Sequence, residues 1–329
     1  MTTETTFEAR PYGGEEDLPA ICDLLNTCLT TDKLLGEPYV TVESMGQMLD
    51  EPGLDNALDV RLWMDRAGRV IGYGETHIEP SDEEQVVDAH LFFRVHPATR
   101  DVGLEREIVG WAEERVRAVA RERGQKAHLR AGLHLTTPEY IAYRQGALEA
   151  LGFRPVRYGY KMARPLNEPM PEPQFAPGYT LRRLEKHEHD KWVDTFNWSF
   201  IDHWNHHPLT PEQHEHWVNN PNHQDDGDLI AVAEDGTIAA FCRCEIIGED
   251  NAKMGRNEGW IDALGTRRGH RKIGLGRAML LAGMLWLKSQ AIETAVLNVD
   301  AENPTGALRL YESVGFEVTD RTATYHKDL

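Results

Sequence analysis

The stretch Arg271-Lys272-Ile273-Gly274-Leu275-Gly276-Arg277 sets bare backbone among cations. The wider run, TRRGHRKIGLGR, adds Arg267 and Arg268 and carries no acidic residue. The apolar segment that follows, AMLLAGMLWL, predicts a helix. A helix N-terminus offers unpaired N–H groups and about half a positive charge. Glycine at that point lets an anion approach the backbone closely. These residue types in this order suit a pyrophosphate, with side chains left to reach a further phosphate. A dinucleotide fingerprint would need a third glycine where Met279 stands, and a Walker A loop needs Gly-Lys-Ser/Thr, which is absent.

A second group lies downstream, in LNVDAENPTGALRLYESVGF. Asn303 followed by Pro304 predicts a helix start, with Asn as N-cap and Pro at the first helical position. Ala307 and Tyr311 are four apart and share a face of that helix. Gly315 suits its C-cap.

Arg-x-x-Gly-x-Gly at a helix head, then a strand, then Asn-x-x-x-Ala-x-x-x-Tyr and Gly-Phe, resembles the GNAT superfamily of N-acetyltransferases. The residues that carry the resemblance are Arg271, Gly274, Gly276, Asn303, Ala307, Tyr311, Gly315 and Phe316. It implies acetyl-CoA as co-substrate. Backbone amides of Lys272, Ile273, Gly274, Leu275 and Gly276 would bind its pyrophosphate, with Arg267, Arg268 and Arg271 on the phosphates and Arg277 at the same helix start. The backbone of Leu264, Gly265 and Thr266 would pair with the pantetheine arm like an added strand, Asn303 would hydrogen-bond it, and Ala307 belongs to the same wall.

Amine attack on the thioester needs a base, a stabilised oxyanion and a proton for the leaving thiolate. Tyr311 falls where the family's general acid sits. The family often has a base Glu 11 residues ahead of the motif's Arg, and here that position is Trp260. Glu258 and Asp262 flank Trp260 on one strand face, and a bulge would shift either into place. Glu258 is the first choice and Asp262 a close second, directly or through water; deprotonation by bulk solvent stays open.

Two matching halves position these groups. The Pro-rich stretch PLNEPMPEPQFAPG, residues 165–178, holds five of the 17 prolines and reads as a linker. It separates residues 1–164, a degenerate copy, from the catalytic copy at 179–329. Each half gives a short strand, helices, hairpin-like strands, a long helix (about Gly103 to Arg123 and about Gly274 to Gln290), a buried strand, a shorter helix and a final hairpin. The fold class expected is α/β (α+β), with two tandem domains, each a mixed, mostly antiparallel sheet flanked by helices. The tandem layout resembles the mycothiol synthase type of the family.

An ungapped overlay sets Val95 on Thr266, Arg100 on Arg271 and Gly103 on Gly274. In the first half Glu105 replaces the last glycine, Asp101 adds a second negative charge, Leu148 stands for Tyr311, and the strand face becomes Val87, Ala89 and Leu91. Negative charge repels a pyrophosphate, so this half is expected to be catalytically silent.

With 329 residues and a net charge of −19, nucleic acid and anionic membranes are not expected partners. The polar opening MTTETTFEAR has no signal-peptide pattern, and no apolar run reaches bilayer length, so a cytoplasmic monomer or homodimer is expected. Cys242 and Cys244 alternate as small core residues, and no disulfide or metal pattern appears. Residues 187–223 hold eight of the 15 histidines together with Trp192, Trp198, Trp204 and Trp217. The plain reading is packing and surface; an aromatic pocket edged by Asp202 and His203 for a cationic amine is the sharper one. The function expected is acetyl transfer to a small-molecule amine. An acyl-CoA sensor without turnover, a protein N-acetyltransferase and a longer acyl donor remain as alternatives.

Overall fold

A computed structural model of the chain describes residues 7–34, 36–79, 86–100 and 103–329. Asp101 and the opening residues 1–6 lie outside the described residues. The chain packs as two compact units, Met1–Tyr158 with Asp320–Leu329, and Gly159–Thr319.

The first unit contains β1 (Glu8–Pro11), α1 (Leu18–Thr31), α2 (Val42–Leu49), α3 (Asn56–Asp59), β2 (Val60–Met64), β3 (Val70–Ile78), β4 (Val86–Val95), α4 (Leu104–Arg123), β5 (Lys126–His134) and α5 (Pro138–Ala150). The chain then continues through β6 (Arg154–Pro165), β7 (Tyr179–Arg183), α6 (His189–Phe200), α7 (Pro211–Val218), β8 (Asp228–Ala233), β9 (Ile238–Glu245), α8 (Gly248–Met254), β10 (Glu258–Thr266), α9 (Leu275–Ser289), β11 (Thr294–Asp300), α10 (Ala307–Glu312) and β12 (Glu317–Asp328). The first unit's sheet runs β1-β2-β3-β4-β5-β12 and the second unit's runs β6-β11-β10-β9-β8-β7. Each has one parallel pair, β4 with β5 and β10 with β11, among antiparallel neighbours. This is the mixed, mostly antiparallel architecture expected.

Two features of the strands differ from the sequence reading. No final hairpin closes either half: β6 and β12 are single 12-residue strands. β12 pairs with β5 from Thr322↔His134 to Asp328↔His128, so the end of the chain completes the first unit's sheet. β6 pairs with β11 from Gly159↔Asp300 to Pro165↔Thr294. The Pro-rich stretch after Pro165 has no helix or strand before Tyr179, and its Met170 and Phe175 pack on the second unit's core.

Periodicity explains the layers. Along α4, Leu104, Ile108, Ala112 and Val116 recur every four residues and are fully buried, forming the stripe that covers the first sheet. The helix α9 is apolar nearly all round and is buried nearly all round. One side of the second sheet packs Cys242, Cys244 and Ile261 with α9; the other packs Phe241 and Ala263 with Trp192 of α6. All four cysteines are buried and free, as their alternation implied for Cys242 and Cys244.

The second unit carries a bulge that the first lacks. On β10, Ile261 pairs with Cys244 and Ala263 with Arg243, leaving Asp262 as the extra residue. On β4 the register with β3 runs unbroken from Ile78↔Ala89 to Gly72↔Val95. A one-residue slip exchanges strand faces. Upstream of the bulge the ungapped overlay is therefore off by one. The first unit's counterparts of Glu258 and Trp260 are Asp88 and His90. Val87, Ala89 and Leu91 are instead fully buried core residues. That strand face is polar after all: Asp88 binds Arg130 at 2.9 Å, and burial lowers the His90 pKa to about 3.

A Cβ added at Gly283 in α9 would lie 2.4 Å from the Cys242 sulfur. Helix propensity favours Ala over Gly by about 1 kcal/mol, but overpacking costs about 1–3 kcal/mol. Gly283→Ala is therefore expected to lower stability in denaturant melts, and Cys242→Ala in the same chain to reverse the loss.

Candidate active site

Thr266 ends β10, and the chain turns through 267–274 into α9. Three positive-φ residues shape the turn, Gly269 at φ +100°, Lys272 at φ +66° and Gly274 at φ +89°. Gly274 is the N-cap of α9, and the first helical bond runs from Ala278 N to Gly274 O at 3.0 Å. The amides of Leu275, Gly276 and Arg277 precede that bond and have no helical acceptor. No acidic residue stands in the first turn.

On the other side, β10 and β11 part. Their parallel pairing covers only Glu258↔Thr294 to Trp260↔Val296. Beyond Trp260 the β10 edge has no β11 partner, and a cleft of about 720 Å³ opens there. It is lined by Leu264, Gly265 and Thr266 of β10, by Arg271, Lys272, Gly274, Leu275, Gly276 and Arg277 of the loop, and by Ala307 and Tyr311 of α10. Ser199, Asp202, His203, Pro304, Thr305, Gly306 and Leu310 complete the wall. The cleft thus gathers most of the sequence-selected cofactor residues.

Six selected residues are not part of the lining: Arg267 and Arg268, which pair with aspartates, and Ile273, Asn303, Glu258 and Asp262. Ile273 is an exposed loop residue. Asn303 does not cap a helix. Its Oδ1 accepts from Thr305 N at 2.8 Å in a tight turn, and its Nδ2 lies 3.5 Å from His203 Nε2. The helix begins only at Ala307, because Gly306 (φ +81°) turns the chain left-handed first. Glu258 sits at the far end of β10, where its carboxylate meets Lys161 at 3.1 Å and Arg256 at 3.7 Å. Asp262 projects from the bulge, 3.5 Å from Arg243. Desolvation in its recess raises the Asp262 pKa and Arg243 opposes that rise; with 42% of the side chain still open, solvent limits the effect.

The basic residues are arranged differently from the expectation. Arg267 binds Asp194 at 2.5 Å, and Arg268 binds Asp202. Arg271 donates to Thr266 O at 3.0 Å, to Asp202 at 2.7 Å and to Ser199 O at 2.8 Å, so it fastens the end of α6 to the end of β10. Arg277 donates to Ser313 Oγ at 2.6 Å. Among the described residues, Lys272 is the one cation of the stretch whose side chain has no bond or ion pair.

Tyr311 is 8% exposed and lines the cleft. No side-chain bond holds its hydroxyl among the described residues. Burial, with Cys242 adding a little, raises its pKa, so the hydroxyl keeps its proton. His203 also faces the cleft, and burial lowers its pKa, leaving a neutral ring. The tryptophans follow the plain reading of packing and surface and not the alternative of an aromatic pocket. Trp192 is core, stacked on His214, while Trp198 lies exposed beside Arg267. The histidines of 187–223 form no metal-sized cluster; among the described residues the group with that spacing is His128, His326 and Asp328 in the first unit.

Comparison with known proteins agrees with this geometry. A model of the acetyltransferase (GNAT) family matches residues 189–316. A mycothiol acetyltransferase of Salinispora tropica is 30% identical over 76% of this chain and 75% of its own length. One of Frankia casuarinae is 28% identical over 84% and 78%. The chain belongs to the GNAT acetyltransferase family. The crystal structure of a GCN5-related N-acetyltransferase from Sphaerobacter thermophilus has a TM-score of 0.73 at 25% identity, covering 98% of this chain and 95% of that one. A tandem GNAT protein from the clavulanic acid biosynthesis pathway has a TM-score of 0.70 at 16% identity, covering 98% of both. The protein is a tandem GNAT acetyltransferase with acyl-CoA as co-substrate.

The first GNAT unit serves as an internal control. Gly103 (φ +86°) caps α4 as Gly274 caps α9. Arg100 binds Asp32, just past α1, as Arg271 binds Asp202, just past α6. Phe153 N donates to Leu148 O as Phe316 N donates to Tyr311 O, so Leu148 holds the tyrosine's place. Glu105, where Gly276 would be, is buried and accepts from Tyr143 at 2.8 Å.

The cradle fits a diphosphate because Gly276 leaves space above it. A Cβ there would sit at ordinary contact, 3.4 Å from Thr266 and 3.6 Å from Leu310, so Ala fits and a longer side chain projects into the cleft. Gly276→Leu is expected to weaken CoA binding at least about tenfold in calorimetric titration, with the melting temperature little changed and Gly276→Ala much milder.

Proposed function

We propose that this enzyme transfers acetyl from acetyl-CoA to the amine of a small molecule, and that the chemistry belongs to the C-terminal half. The observation that carries the reading is the protonated Tyr311 hydroxyl facing the same cleft as the open amides of Gly274–Arg277. The amides and Lys272 would hold the diphosphate. The unpaired edge of β10 from Leu264 to Thr266 would take the pantetheine arm as a strand takes a neighbour. The neutral amine attacks the thioester carbonyl, and Tyr311 gives its proton to the departing thiolate. The mycothiol acetyltransferases similar to this chain support a small-molecule acceptor.

The N-terminal half is read as catalytically silent. Its loop position is filled by Glu105, its acid is replaced by Leu148, and its β4 has no bulge. Among the described residues, no helix is long and apolar enough to cross a membrane.

Turnover followed by thiol release over a panel of small primary amines tests the reading. Tyr311→Phe is expected to lower kcat by about 10²–10⁴-fold and to leave acetyl-CoA affinity within about twofold. Substantial turnover remaining in the variant would mean that the first unit is active or that Tyr311 is not the acid. Equal loss of affinity and rate would reduce Tyr311 to a structural residue.

A further inference from the structure

Glu245 ends β9 directly across the ladder from Trp260. Opposed residues on an antiparallel ladder share a face, with Cβ atoms about 4.5–5.5 Å apart. Trp260 stands 11 before Arg271, the position at which the resemblance would have put a carboxylate. A carboxylate therefore stands one strand over from that position and on the same face. We propose that Glu245 is the general base of the acetyl transfer, in place of a carboxylate at position 260, where β10 has Trp. The assignment rests on the N-acetyltransferase reading above.

The alternatives on β10 are engaged elsewhere. Glu258 is held by Lys161 and Arg256, and Lys161 also lies 4.8 Å from the Trp260 ring centre. Asp262 has Arg243 as its partner. Glu245 is half-buried and makes no side-chain hydrogen bond or ion pair among the described residues. The titratable and charged groups on its face are Arg243 on its own strand, Asp228 across from Arg243 on β8, whose carboxyl burial also pushes up to about 7, Asp262 from the bulge, and Glu258 with Lys161 beside Trp260. His223 lies beyond, 3.5 Å from Asp228. Burial, and then the nearby Asp262 charge, push the Glu245 carboxyl up to about 7, with Arg243 opposing. Of two neighbouring carboxylates, the one with the cation keeps its charge and the other binds protons more readily.

Position along β10 fixes how the proton travels. Leu264, the first residue of β10 on the cleft, stands four residues beyond Trp260, with one of the four taken up by the bulge. At about 3.3 Å per residue that is about 10 Å, so the proton would travel through a short chain of waters. The ammonium gives one proton through water to Glu245. The nitrogen lone pair then forms the C–N bond, the C–S bond breaks, and Tyr311 protonates the thiolate. The second nitrogen proton returns to Tyr311 through solvent, and Glu245 releases its proton to water. One proton is set free per turnover.

The test uses the full-length enzyme with acetyl-CoA and two probe amines. Glucosamine presents an ammonium at neutral pH, and hydroxylamine is already largely a free base. For the wild type, kcat/KM with glucosamine is expected to fall as pH drops through about 7, as Glu245 takes up its proton. Glu245→Gln is expected to lose about 10²–10⁴-fold on glucosamine, to lose the acid limb, and to stay within a few-fold on hydroxylamine with acetyl-CoA affinity intact. Asp262→Asn removes a like charge and is expected to move the limb to lower pH. A Glu245→Gln enzyme that keeps the wild-type limb, or that loses both amines equally, overturns the assignment. Should the wild type accept neither amine, the failure belongs to the acceptor reading, and the carboxyl ¹³C signal that disappears in Glu245→Gln decides. Titration near pH 7 in the acetyl-CoA complex supports the base, and a carboxylate ionised throughout pH 5–9 overturns it.

Discussion

Beyond Trp260, β10 cannot keep its hydrogen bonds to β11. An extra residue at Asp262 increases local twist, and the two parallel strands separate there. An unpaired strand edge is ordinarily a liability. Here it lines a cleft that also holds the start of α9, whose first amides have no helical acceptor. On the proposed reading, an extended amide arm and a diphosphate would satisfy both at once, and the cleft's placement follows from that separation.

The two units show which parts of the pattern support the fold and which support the chemistry. The left-handed glycine before the long helix recurs in both, and so does the arginine that fastens the end of the first helix to the loop. These features persist where the cradle has been filled, so they are structural. The bulge, the bare Gly276 and the Tyr311 hydroxyl occur in the second unit alone. Arg271 therefore belongs with the first group. It fastens the loop, whereas Lys272 has no bond or ion pair among the described residues.

Local chemistry was legible in the sequence. The loop, α9, Tyr311 and the twofold repeat could be read because each depends on residues close together along the chain. Cross-strand matters could not. The bulge at Asp262 shifts the register by one, so an ungapped overlay named core residues for the counterpart of Glu258 and Trp260. Glu245 stood at the end of an alternating strand with nothing nearby to mark it; only its rung on the ladder gives it meaning. Asn303 and Pro304 look like a helix start, but Gly306 turned the chain before a helix could form. The charges around the loop suggested free phosphate ligands, and only the fold brings Asp194 and Asp202 up to pair with them.

The first sheet takes its last strand from Asp320–Leu329. During synthesis the first unit must therefore wait until residues 320–329 have emerged. Domains usually mature in the order in which they emerge, but here the second unit can close first while its predecessor still exposes the edge of β5. An unfilled edge of that kind recruits strands from other chains. A chain cut short before Asp320 would thus be felt first in the unit built from the opening half of the sequence.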